Sequence, residues 1–392
     1  MNKSHLGAYA VLLAAMLLAT LLLMPGVGIT GERPTTGTQV TMQHLFRDLS
    51  IVFYLSLDDD KFQDAANRDE ILTALYALAA NAEQLSAHGI ELSAPNDFLR
   101  RSLVRDANEA VMRFRQGHFE GSRFLLDQLM TNCFTCHSRL PTERRFEPGD
   151  RFLDQIGVES LPAEDQIRVQ VATRQFEAAL STYEKMFSSR TVSPSQIANS
   201  GAFEDYLKIC VRVEKDCNRA ATTFETIRRR EDVPLFLDIR LERWVEDLKE
   251  IDKSDAKKGS DPLDRGRVLL RDAQYRCAFP NDPQGTVLFV AASGCLHRYL
   301  KTSPSDPTRL AETYYLLGVA EAHVSTSYWR SETDYLLETA IRTAPSSVYA
   351  RMAYNFLEEY TASGYTGSSG VNIPPEAQER LDELRSLLLP RP

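Results

Sequence analysis

The chain has 392 residues and a formal net charge of −9, from 45 Lys and Arg against 54 Asp and Glu. Hydrophobic residues are 43% and charged residues 25%, which excludes wholesale disorder and collagen-like repeats. The acidic balance argues against nucleic acid as the main partner, and six cysteines are too few for a disulfide scaffold.

Leu6 to Met24 is one uncharged apolar run, preceded by Lys3 and followed by Pro25-Gly26-Val27-Gly28. Residues 1–30 therefore read as an export segment, either a cleaved signal peptide or a retained membrane anchor. The rest of the chain is expected on the far, oxidising side of that membrane, the periplasmic side of a bacterial inner membrane.

Four helical stretches follow. The first spans about Thr38 to Leu57, with a stripe of Met42, Leu45, Phe46, Leu49, Val52 and Phe53. The second spans about Lys61 to His88 and ends at Gly89. The third begins after Ser93-Ala94-Pro95-Asn96, with Asn96 as N-cap, and ends at Gly117. The fourth spans Phe119 to Ser138, before Pro141. Their 3.6-residue period and short connections predict an antiparallel four-helix bundle over residues 38–141.

The fourth stretch carries Cys133-Phe134-Thr135-Cys136-His137, a C-x-x-C-H pentapeptide. Two thiols three residues apart share one helix face, where each can add to a haem vinyl group. The next residue then supplies an imidazole to the iron. A thioredoxin-like redox pair would want a βαβ context, which the sequence lacks. Half of a zinc site would want a second Cys/His pair, and residues 100–170 offer only His118 besides. Leu125, Leu129, Cys133 and Cys136/His137 fall on one stripe, so the site is expected on the core-facing side of this helix.

Residues 38–140 thus resemble a c-type cytochrome of the four-helix-bundle class, the cytochrome c prime type, with C-x-x-C-H near the end of the last helix. The resemblance implies one covalent haem c held by Cys133 and Cys136, with His137 as proximal iron ligand. It also implies that the first helix faces the distal iron position, where Met42 is the candidate ligand. The alternative for Met42 is plain core packing. His44, about 200° round that helix, reads as a surface residue. Arg139 is either a partner for a haem propionate or a solvated side chain.

The remaining two thirds carry no second C-x-x-C-H. Thr142–Asp150 reads as a linker. Glu164 to Phe187, Phe203 to Arg229 and Leu235 to Ile251 each read as one helix, and Ala172 to Phe187 resembles the second helix of a tetratricopeptide repeat, giving a helical, repeat-like region over residues 150–252. A polar break at Lys253–Pro262 precedes a second region, 263–392. There Tyr314, Leu317, Gly318, Leu337, Ala340 and Pro345 resemble tetratricopeptide repeat (TPR) signature residues, which implies stacked helix pairs that hold a protein partner. Cys277 and Cys295 flank the turn Pro280–Gly285 and are placed to bridge adjacent helices. Cys210 and Cys217, on one unbroken helix, would stand ~10 Å apart, beyond disulfide reach.

The expectation is an all-α, exported monohaem cytochrome, an electron carrier rather than an enzyme. A redox partner, a protein docked on the TPR-like region, and the membrane if the leader is retained would be its partners; nucleic acid would not. The alternative is a haem-based gas or redox sensor, or a scaffold for assembling a respiratory complex.

Overall fold

The protein is described from a computed structural model, which covers residues 37–87, 93–139, 153, 157–255, 261–277, 282–324, 332–368 and 370–389. The leader and the linker Thr142–Asp150 lie outside these residues.

Apolar side chains at helical spacing bury one face of α1 (Gly37–Ser56) through Leu45, Leu49, Val52 and Phe53. The expected second helix is divided. Asp58 caps α2 (Asp59–Gln63) by accepting from the Lys61 amide, and Asp64 caps a 3₁₀ turn, Ala65–Asn67, by accepting from the Ala66 amide. Only then does α3 (Arg68–Ala87) begin. Aspartate side chains compete with a continuing helix for backbone donors, and here two of them win. Helix α4 (Ala94–Arg115) starts before Asn96; Ser93 holds the N-cap position and Pro95 lies in the first turn. Gly117, at φ +79°, turns the chain into α5 (Phe119–His137).

These helices share one apolar core, with the fully buried Phe62 edge-on to Phe114 at 5.1 Å. Polar ties fix their register. Asn81 Nδ2 donates to Asp48 Oδ2 at 2.7 Å, Arg123 Nε to the Ser56 carbonyl at 2.7 Å, and Ser122 Oγ to the Ala110 carbonyl at 3.0 Å.

The next expected helix is also two, α6 (Ala163–Ala172) and α7 (Phe176–Ser188), because Arg174 adopts φ 60°. Helix α6 is shared between cores: Val169 and Ala172 join the first, Ile167 and Val171 the second. After α8 (Pro194–Asn199) comes α9 (Ala202–Lys208), which widens into a π-turn at Ile209–Glu214 and stops at Lys215, φ 55°. Helix α10 (Cys217–Arg228) then starts afresh, with Asp216 accepting from the Arg219 amide. The unbroken helix expected over Phe203–Arg229 is therefore interrupted between Cys210 and Cys217.

The rest is α11 (Leu235–Asp255), α12 (Pro262–Arg276), α13 (Thr286–Leu300), α14 (Pro307–Val324), α15 (Glu332–Thr343), α16 (Val348–Gly364) and α17 (Pro375–Leu388). An antiparallel hairpin of two-residue strands, β1 (Thr366–Gly367) and β2 (Gly370–Val371), sits between the last two helices. Helix α13 is buried on nearly every face. Gly318 lets α14 and α15 close together: a Cβ there would lie 2.8 Å from Leu337 Cδ2.

None of the six cysteines is in a disulfide. The expected Cys277–Cys295 bridge does not form, because the Cys277 thiol donates to the Asp282 carbonyl at 3.3 Å and Cys295 lies buried, accepting from Arg298 at 3.0 Å. Seventeen α-helices and this single hairpin, among the described residues, make the fold all-α. The chain from Thr41 onward forms one compact unit.

Candidate functional site

The C-x-x-C-H residues occupy the last turns of α5. Helix rotation spreads them: Leu125 and Leu129 are buried, Cys133 is half-buried against the first core, and Cys136 has turned out to solvent. The site therefore straddles the rim of the core rather than lying wholly on its inner stripe. His137 is the last helical residue, and the Ser138 amide closes the helix by donating to the Phe134 carbonyl at 2.9 Å.

The His137 ring is buried, with Nδ1 3.3 Å from the Val171 carbonyl of α6. Burial, reinforced by the Arg174 charge, pushes its pKa down to about 4, so the imidazole is neutral at ordinary pH. A carbonyl oxygen only accepts, so Nδ1 carries the proton and the lone pair is on Nε2. This is how a metal-binding histidine is set: one ring nitrogen is pinned to the backbone and the other is left as the donor. The Cys133 thiol is pushed up to about 12 by burial and by its neighbour Cys136. A reactive redox thiol has a lowered pKa instead, so Cys133 lacks the character of a thioredoxin-like nucleophile. Among the described residues, no group of three or more His, Cys, Asp or Glu is arranged to hold a bare metal ion. Two thiols and one neutral imidazole at this spacing do fit a covalently tethered haem.

Met42 is half-buried on α1 and packs against the same core as Cys133. His44 is exposed, as expected. Arg139 is not solvated: it is 4% exposed and paired with Glu332 at the start of α15.

That pair belongs to a buried polar cluster that sequence reasoning missed. Arg212 Nη2 donates to Glu321 Oε1 at 3.1 Å and its Nε to the Val290 carbonyl at 3.3 Å. Ser293 donates to Glu321, and His297 Nε2 stands 3.8 Å from Glu321 Oε1. Burial works against the Glu321 charge, yet Arg212, His297 and Ser293 hold its carboxyl far below the usual range. Burial, set against the Arg139 charge, pushes Glu332 up to about 7. Burial also pushes His297 down to about 4. The signal in the sequence was a lone charge inside an apolar run: Arg212 within Ile209–Val213, and Glu321 beside Val319 and Ala320.

No family model, curated protein or solved structure matches this chain.

Proposed function

We propose that the chain is an exported monohaem c-type cytochrome that carries electrons on the periplasmic side of a bacterial inner membrane. Cys133 and Cys136 tether the haem, and His137 ligates its iron through Nε2. The observation that carries this reading is the neutral His137 ring, its Nδ1 facing the Val171 carbonyl, one residue after a thiol pair of C-x-x-C spacing. When bound, haem supplies a one-electron Fe(II)/Fe(III) couple. The residues of this chain hold it, orient the proximal imidazole and shield one side with the core around Leu129 and Met130. We assign residues 38–141 to a four-helix bundle and α14–α16 to a TPR-like array that docks a protein partner; the close Gly318–Leu337 approach supports that helix pairing. Met42 is the candidate distal ligand.

The test is expression of the full chain in a host with haem-attachment machinery, followed by intact mass and a pyridine haemochrome spectrum. One covalent haem is expected, lost in Cys133→Ala/Cys136→Ala. A chain of unmodified mass defeats the proposal. A low-spin ferric spectrum with a Met–iron band, lost in Met42→Ala, supports the carrier. A high-spin ferrous state that binds CO at once removes Met42 as ligand and favours the sensor reading. The buried Arg139–Glu332 pair, which joins the end of the C-x-x-C-H helix to α15, is the observation on the sensor's side.

A further inference from the structure

On the other side of α5, about 160° round the helix from Cys133, Thr131 lines a cavity of about 450 Å³. Its walls come from α5, α6, α7, α9, the π-turn, α14 and α15. The volume is in the range of sites that hold small molecules. Five carboxylates and three cationic side chains line it. Each of the three cations is already paired, Arg168 with Asp127, Lys208 with Asp205 at 2.8 Å, and Arg212 with Glu321. Glu332 differs. One of its oxygens takes Arg139, while Oε1 is buried and has no hydrogen-bond partner. Glu332 is 6% exposed and lines the cavity.

We propose that this cavity binds a small organic cation, a primary ammonium on a short apolar chain, with the ammonium on Glu332 Oε1. Ionised, as it is above pH 7, Glu332 offers an oxygen that only accepts, and an ammonium brings three donors in a compact charged head. With Arg139 beside Glu332 the carboxylates outnumber the cations by five to four, a balance that favours a cation over an anion. Apolar side chains of Phe134, Ile167 and Tyr183 form the wall on which the chain of the ligand lies. Cys133, Cys136 and His137 do not line the cavity, although Phe134 and Thr135 between them do, and the proposal does not depend on the tethers.

Isothermal titration calorimetry tests it on the full chain and on Cys133→Ala/Cys136→Ala, with butylammonium, 1-butanol and butyrate as probes. Butylammonium is expected to bind one to one, at least tenfold tighter than either isostere, in both proteins. Glu332→Gln is expected to weaken it at least tenfold. Thr131→Trp fills the cavity from α5, replaces neither Glu332 nor Arg139, and is expected to abolish binding with an unchanged circular dichroism spectrum. It decides the matter if Glu332→Gln fails to fold. No binding by butylammonium, equal binding of butanol, preference for butyrate, or cation affinity unchanged in Glu332→Gln or Thr131→Trp each overturns the proposal.

Discussion

Replacing Arg139 with Met takes away the guanidinium paired with Glu332 and leaves the carboxyl in place. Both side chains are more than nine-tenths buried. Removing one member of such a pair costs about 3–5 kcal/mol, because the remaining charge stays out of water. Glu332 has an escape, since it can take up a proton. Against an ordinary value of 4.5 it already sits at about 7, raised by burial and by Glu321 and lowered by Arg139 and Arg212. Without Arg139 it rises further. A carboxyl whose folded pKa is raised lends stability at low pH, and this is lost as pH climbs from the unfolded to the folded value. In the wild type that loss is complete shortly above pH 7; in Arg139→Met it continues. The cost of the substitution should therefore grow by about 1.4 kcal/mol per pH unit above 7, or about 2 kcal/mol more at pH 8.5 than at pH 7. Urea unfolding followed by far-ultraviolet circular dichroism at the two pH values measures it. The double variant Arg139→Met/Glu332→Leu should return to within about 1 kcal/mol of wild type. A single-variant cost below about 1 kcal/mol at pH 8.5, or the same cost at both pH values, refutes the reasoning.

Three further outcomes are expected. Gly318→Ala should destabilise the fold by about 1–2 kcal/mol in urea, the clash with Leu337 outweighing the ~1 kcal/mol gain in helix propensity; a stabilised variant would mean that Leu337 yields freely. Lys215→Gly should raise the melting temperature, because the exposed Lys215 at φ 55° carries left-handed strain of about 1 kcal/mol that glycine lacks; a lower melting temperature would count against it. His297, held neutral down to about 4 against an unfolded value of 6.5, gives stability that is present above pH 6.5 and lost as pH falls toward 4. His297→Gln should flatten that slope by up to about 1.4 kcal/mol per unit, seen as melting temperature against pH, and an unchanged slope would remove His297 as its source.

Helix content and the end of the C-x-x-C-H helix were legible, because periodic apolar residues and a stop at Ser138 are local signals. The breaks were not. Helices usually turn through a left-handed glycine or asparagine, whereas this chain uses Arg174 and Lys215 and so offers no punctuation to read. Asp58 and Asp64 did carry a capping signal, but it lay beside a strong helical period that hid it. At the site, the thiol and imidazole types and spacing were plain. The neutral state of His137 was not, since it depends on burial in the folded chain and on the charge of Arg174, 37 positions away. The charge cluster is of the same kind, assembled from five separate segments that periodicity alone would each have turned outward.

The start of α4 has one more bearing. Tyr335 donates to Asp97 Oδ2 at 2.7 Å, and its ring lies 5.5 Å from that of Phe98, so the third long helix is seated against a residue made 238 positions later. Closing so long a loop is slow. As the chain is made, the segment with the C-x-x-C-H pentapeptide appears first but waits for the last third before this seat fills. A product truncated near residue 150 would present Phe98 and Asp97 without their cover. Loss of the C-terminal helices would then be felt first at the N-terminal end of the molecule, as exposure of the segment that precedes Cys133, Cys136 and His137.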